Sequence, residues 1–130
     1  MAVRIVRLGS PRAGGEGLRI GTVRRPPRGV AKQDFGRGDW YDIWYPNLAP
    51  SAGTVKLGQA AVTDARWREF ARRYRAEMAT PDNARSIALL AALSRSTAFS
   101  VGCYCEVEAR CHRSLLRGLL AAQGAEIADD

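Results

Sequence analysis

The sequence predicts an α/β fold, a single layered domain with a mostly parallel sheet flanked by helices, and three stretches carry that prediction. Residues 98–105, AFSVGCYC, hold no charge and mix β-branched and aromatic residues over the length of a buried strand. The segment 111–123, CHRSLLRGLLAAQ, sets Leu115, Leu116, Leu119 and Leu120 on one helical face. The segment from Asp64, DARWREFARRYRAEM, does the same with Trp67, Phe70, Ala71, Tyr74 and Met78. A strand, a helix and another strand in succession imply a crossover between parallel strands.

The remaining elements follow in chain order. Residues 3–8, VRIVRL, alternate apolar and basic and predict a strand, which SPRAGGEG breaks with glycine and proline. Residues 18–24 predict a second strand ending in RRPPRG, where two prolines bar both helix and central pairing. From about 24 to 39 the chain is Gly-rich, polar and basic without a period, which predicts a long surface loop. Trp40, Tyr41, Trp44 and Tyr45 then predict a short strand whose aromatics enter the core or cap an edge; a stacking platform for a base or sugar is the alternative. Thr63 or Asp64 caps the first amphipathic helix. Thr80, Pro81 and Asp82 open a second, carrying Ile87, Leu90 and Leu93. Gly124 closes the helix that starts near Cys111, and AEI at 125–127 begins a last strand.

Composition limits what such a fold does. A chain of 130 residues, 46% of them hydrophobic, supports one domain over 1–130 that buries roughly two-thirds of its unfolded surface. No apolar run reaches membrane-spanning length, and the charges in MAVRIVRLGSPR stand where a secretory segment is apolar, so a cytoplasmic protein without a membrane partner is expected. Three cysteines, two of them separated by one residue, point to reduced thiols rather than a disulfide framework. The net charge of +7 is uneven: residues 1–63 hold ten basic and four acidic side chains, residues 64–130 ten and nine. Arg19, Arg24, Arg25, Arg28, Lys32 and Arg37 face one acid, Asp34, within 18–37. Eighteen of the twenty basic residues are arginine, whose planar fork matches phosphate or carboxylate. Biased base composition accounts for the total but not for the clustering.

All three cysteines and the only histidine fall within 102–116, GCYCEVEARCHRSLL. In open α/β sheets ligands collect beyond the carboxyl ends of strands, where helices begin. A strand ending near Cys105 places Cys111, His112 and Arg113 in the first helical turn, where the helix end and the two neighbours depress a thiol pKa. Cys111 is therefore the expected nucleophile, with His112 as its partner and Glu106 as orienting group or general acid/base. Cys103 reads as a small buried hydrophobe, and Cys105 is left open. A metal site would draw on Cys103, Cys105, Cys111 and His112, but the spacing C-x-C-x5-C-H is unlike the paired C-x2-C of zinc knuckles. A formal C-x5-R match from Cys111 to Arg117 lacks the glycines that wrap phosphate.

The strings VRRPPRGVAK, WYDIWYPNLAPS, WREFARRYRAEM and CYCE followed by CHRSLL together resemble the YeaO-like family, the domain of unknown function 488, over most of the chain. The resemblance implies a small bacterial α/β protein and carries no activity with it. Residue by residue, Arg24, Pro27, Arg28, Gly29 and Lys32 match its loop motif, Leu48 to Ser51 its LAPS turn, and Cys111 to Arg113 its CHR motif. Val23 stands where the family often has Asp, so no role is assigned to that carboxylate.

These readings combine into one expectation and two alternatives. The first is an enzyme acting on a phosphate-bearing substrate, a nucleotide or nucleic acid, gripped by Arg24, Arg25, Arg28, Lys32 and Arg113, with Cys111, His112 and Glu106 performing the chemistry and no resident cofactor. It requires the basic loop and the CHR helix start to line one cavity. The second is a non-catalytic nucleic-acid binder using the basic loop with Trp40 or Trp44. The third is a thiol-based redox or metal-binding domain.

Overall fold

The charge-free stretch forms the inner strand of the sheet. Phe99–Cys103 is buried at every position and is the fourth strand in the chain, β4. On one side it pairs in parallel with β1 (Val3–Arg7), from Val3 against Phe99 to Arg7 against Cys103. On the other it pairs in parallel with β2 (Leu18–Gly21), which in turn pairs with the two-residue β3 (Ile43–Trp44). The order is thus β1-β4-β2-β3, all parallel, in a computed structural model that describes residues 2–59 and 63–128. Arg7, Gly21 and Cys103 end their strands at one edge, so whatever follows them in the chain meets there. The predicted last strand is reduced to a single parallel bridge between Val3 and Ile127.

Four helices flank the sheet: α1 (Ala52–Gln59), α2 (Asp64–Met78), α3 (Pro81–Leu93) and α4 (His112–Ala122). The Thr63 side chain accepts a hydrogen bond from the Arg66 amide and caps α2, which buries Phe70, Ala71, Tyr74 and Met78 as its period requires. These side chains, with Ile87 and Leu90 of α3 and Leu116 and Leu120 of α4, cover Val3, Ile5, Ile20 and Val101 of the sheet to make the main core. Tyr74 buries its ring and satisfies its hydroxyl by donating to the Leu48 carbonyl at 2.8 Å. Among the described residues no helix is long and apolar enough to cross a membrane.

Helix α1 is the element the sequence does not announce. Its two glycines and β-branched Thr54 and Val55 have weak helix propensity. Tertiary contacts supply what propensity lacks. Glu77 of α2 accepts from the Ser51 amide, the Ser51 hydroxyl and the Thr54 hydroxyl at 2.9, 2.6 and 2.7 Å, tying down the start of the helix. Near its end, a Cβ on Gly58 would lie 2.8 Å from the Phe70 ring, so glycine is what permits this close approach to α2.

The basic stretch is more structured than a free loop. Lys32–Asp34 forms a 3-10 turn, and Phe35 packs edge-on against Tyr41 with 5.1 Å between ring centroids. Arg19 leaves the set of surface cations altogether, since it is fully buried. It donates to both carboxylate oxygens of Glu16 at 2.7 and 3.0 Å and to the Ser10 and Asp39 carbonyls at 2.9 and 2.6 Å. Burial acts to raise the Glu16 pKa, but hydrogen bonds from Arg19, Ser100 and the Ala13 amide prevail and hold it at about 2.

Candidate functional site

Beyond the carboxyl edge of the sheet lies a second, smaller apolar cluster of Leu8, Val23, Tyr41, Cys103 and Cys111. It forms because β4 ends at Cys103 and the chain returns through a 3-10 turn, Glu108–Arg110, to start α4 at His112. Strand end and helix start thereby bring their sulfur and nitrogen atoms together. The donor atoms of Cys103, Cys111 and His112 all lie within 4.8 Å of one another. The sulfurs of Cys103 and Cys105 are 3.7 Å apart, and Cys111 Sγ lies 3.8 Å from His112 Nδ1.

The imidazole is held in one tautomer. Its Nε2 lies 2.7 Å from the Thr22 carbonyl, which only accepts, so Nε2 carries the proton and Nδ1 presents a lone pair to Cys111. Thr22 is itself fixed, its amide and hydroxyl both donating to Gly102 O at 3.0 and 2.9 Å. The Tyr74 ring packs against the imidazole with 5.4 Å between centroids.

Exposure divides the three thiols. Cys103 and Cys111 are buried whereas Cys105 is exposed. Cys111, the expected nucleophile, is 2% exposed and lies inside the apolar cluster. It packs there with Leu8 and Val23, which follow β1 and β2, and with Tyr41 and Cys103. The thiols also share their protons unequally. Hydrogen bonds from Cys103 and Cys111, aided by the charge of Arg113, push Cys105 well below the usual thiol range despite partial desolvation. Cys111 is lowered by its hydrogen bond with Cys103, with His112 assisting against burial and Cys105. Cys103 is raised by its bonds to the other two and by burial, so it keeps its proton longest.

Arg113 is buried, and its Nη2 donates to the Cys105 carbonyl at 2.5 Å. Its Nε has no hydrogen-bond partner among the described residues. The same side chain forms a wall of an open cleft of about 400 Å³ that also takes in Arg4, Arg7, Ser10, Glu106 and Glu108. Glu106 does not orient His112; Thr22 does that. Glu106 is exposed, and its carboxylate faces Arg7 at 3.6 Å.

The basic loop approaches the thiol cluster through its backbone, since the Tyr104 hydroxyl donates to the Arg25 carbonyl at 2.9 Å and Thr22 contacts His112. Its cations do not line the Arg113 cleft. Arg24 is turned the other way: Nε donates to Pro50 O at 2.9 Å and Nη2 to the Pro46 and Ala49 carbonyls at 3.0 and 3.2 Å. Through these bonds, made by Nε and Nη2, it ties the stretch that follows β2 to the turn at 46–50. Arg25, Arg28 and Lys32 are exposed on the surface. Trp44 also has a structural task, donating from Nε1 to the Val23 carbonyl at 2.7 Å. Arg117, the end of the formal C-x5-R match, is paired with Glu108 at 2.7 and 2.9 Å. Sequence reasoning missed the cleft residues Arg4, Arg7 and Ser10; the two arginines within the short strand VRIVR were the one signal, since their charges have to reach solvent.

Fold and site define a class: a parallel α/β protein with a cysteine–histidine cluster at the carboxyl edge of its sheet. A family model described as "Active DUF488-N3 subclade" matches residues 3–124, and the chain belongs to this DUF488 family. Neither the curated proteins nor the solved structures compared with the chain contain a match.

Proposed function

We propose that the protein is a thiol-dependent enzyme acting on a small anionic substrate, phosphate- or carboxylate-bearing, with Cys105 in place of Cys111 as the nucleophile. One observation carries this reading: Arg113 is both the buried wall of the cleft and the cation that holds Cys105, its charge lowering the thiol and its Nη2 fixing the Cys105 carbonyl. An anion in the cleft would meet Arg113, Arg7 and Ser10, and the reading requires the Cys105 thiolate, whose carbonyl Arg113 holds, to reach an electrophilic centre of the same molecule. The designation of the family as an active subclade is in keeping with a chemically competent site.

Paired alkylating reagents test this. A free thiolate repels iodoacetate relative to neutral iodoacetamide, whereas a thiolate beside a cationic cleft reverses that order. Cys105 is expected to react with iodoacetate at least as fast as with iodoacetamide. Arg113→Lys, and separately the exposed Arg7→Ala, should slow iodoacetate about tenfold, the size of one ~1.4 kcal/mol contact, while leaving iodoacetamide unchanged. Equal effects on both reagents would sink the reading. The second reading, nucleic-acid binding, draws on the exposed Arg25, Arg28 and Lys32, and requires affinity that falls steeply with salt.

A further inference from the structure

We infer that Cys103, Cys111 and His112 form the core of a site for a soft divalent metal ion of the zinc class, with Cys105, whose sulfur lies beside that of Cys103, closing its fourth corner. The inference goes beyond the reading given above: a Cys105 bound to an ion is not the free thiolate that reading uses, and the experiment below separates the two. Its first support is distance. Zinc bonds of ~2.3 Å to sulfur and ~2.0 Å to nitrogen set tetrahedral edges of about 3.8 Å between two sulfurs and about 3.5 Å between sulfur and nitrogen. The Cys103–Cys105 edge is 3.7 Å and the Cys111–His112 edge 3.8 Å. Cys103, Cys111 and His112 converge as a trio within 4.8 Å, and Cys105, outside that trio, joins it through its edge to Cys103.

The second support is orientation. A ligating imidazole characteristically donates its other ring N–H to a carbonyl or carboxylate, which fixes the tautomer and aims the bare nitrogen. His112 does this through Nε2 to Thr22 O at 2.7 Å, leaving Nδ1 aimed at the sulfurs. Histidine directly following a ligating cysteine reaches a shared ion most readily through Nδ1, the nearer ring nitrogen, and that is the atom presented. Thr22 is in turn locked to Gly102, so the donor set is pre-arranged by the sheet.

Charge and donor chemistry agree. Three thiolates and a neutral imidazole around a divalent cation carry one net negative charge, and Arg113, bonded to the Cys105 carbonyl, stands beside it to compensate. Thiolates with one imidazole select zinc-class ions over magnesium or calcium, which demand oxygen. The unfamiliar C-x-C-x5-C-H spacing is explained by topology: one donor pair comes from the end of β4 and the other from the start of α4, so the ligands meet across a strand–helix junction rather than within a knuckle. Three corners are buried and one, Cys105, is exposed, making it the corner at which the ion is loaded and exchanged.

Elemental analysis of the full chain, purified without chelator, is expected to give one zinc per chain. After chelation and titration with Co²⁺, the expected spectrum is intense tetrahedral d–d absorption with sulfur-to-cobalt charge transfer. Cys105→Ser, at an exposed position that leaves the packing intact, should weaken Co²⁺ binding by at least the ~10-fold that even an outer-sphere partner costs and should shift the bands. A metal-free protein whose Co²⁺ spectrum is that of the hydrated ion overturns the site, as does a tetrahedral spectrum that Cys105→Ser leaves unchanged. Absence of metal with rapid carboxymethylation of Cys105 removes the metal site and leaves the thiol enzyme standing. One zinc per chain with an inert Cys105 supports the metal site and removes the enzyme.

Discussion

Replacing Arg19 with alanine is expected to destabilise the protein by about 3–5 kcal/mol, the cost of stranding one member of a buried ion pair. Glu16 would be left with only Ser100 and the Ala13 amide in a site that admits almost no water. The carbonyls of Ser10 and Asp39, which Arg19 holds at 2.9 and 2.6 Å, would lose the tie that joins the two stretches following β1 and preceding β3. Against a total stability of about 5–15 kcal/mol, chemical denaturation should register the loss without ambiguity. Lysine cannot substitute, because its point charge cannot engage both carboxylate oxygens and two carbonyls at once. The double variant Arg19→Met with Glu16→Gln should recover part of the loss, since it buries no unpaired charge. The same pair sets an acid limit. Glu16 has a folded pKa of about 2 against an ordinary 4.5, so its contribution is fully present above pH 4.5 and is lost as pH falls from there toward 2. That difference amounts to about 3 kcal/mol. Denaturation midpoints followed from pH 6 to 2 should fall more steeply in the native sequence than in Glu16→Gln, and parallel curves would contradict the assignment.

Gly17→Ala is expected to cost about 3 kcal/mol or more, from two sources that add. The residue has φ of +79°, which costs a non-glycine residue about 1–3 kcal/mol. Its Cβ would also lie 2.0 Å from the Ala98 carbonyl oxygen, an atom fixed at the entry to β4 that cannot swing aside like a side chain. Relief requires pulling β2 away from β4 at their first shared pair, Leu18 with Phe99. Gly53→Ala is the control: nothing lies within 4 Å of its added Cβ, and inside α1 the change should stabilise by about 0.5–1 kcal/mol. Thermal melting of the two variants should move in opposite directions; an unchanged Gly17→Ala protein would mean that β2 and β4 do not approach as described.

Much of the fold was legible because period, cap and charge agreed locally. In α2 the Thr63 cap and the Phe70, Ala71, Tyr74, Met78 face point to the same helix, and in β4 the absence of charge announces burial on both faces. Helix α1 was hidden because its stability comes from Glu77, more than twenty residues away. At the site, the sequence located the cluster but not its outward member. Alternation puts Cys103 and Cys105 on one face only while the strand continues, and β4 stops at Cys103, so Cys105 turns to the surface while its sulfur stays beside Cys103. The arginines misled for a different reason. Charge is visible in a sequence, but whether a guanidinium meets an anion or backbone carbonyls is decided by which turns pack beside it, and for Arg24 those are the carbonyls of 46–50.

That Cys105 is the outward corner of an otherwise sealed thiol–imidazole cluster is tested most directly by treating the native protein with less than one equivalent of iodoacetamide and mapping the adduct by peptide mass spectrometry. The adduct is expected on Cys105, with Cys103 and Cys111 modified only after denaturation. Modification of Cys111 first, or of all three cysteines at equal rates, would contradict it.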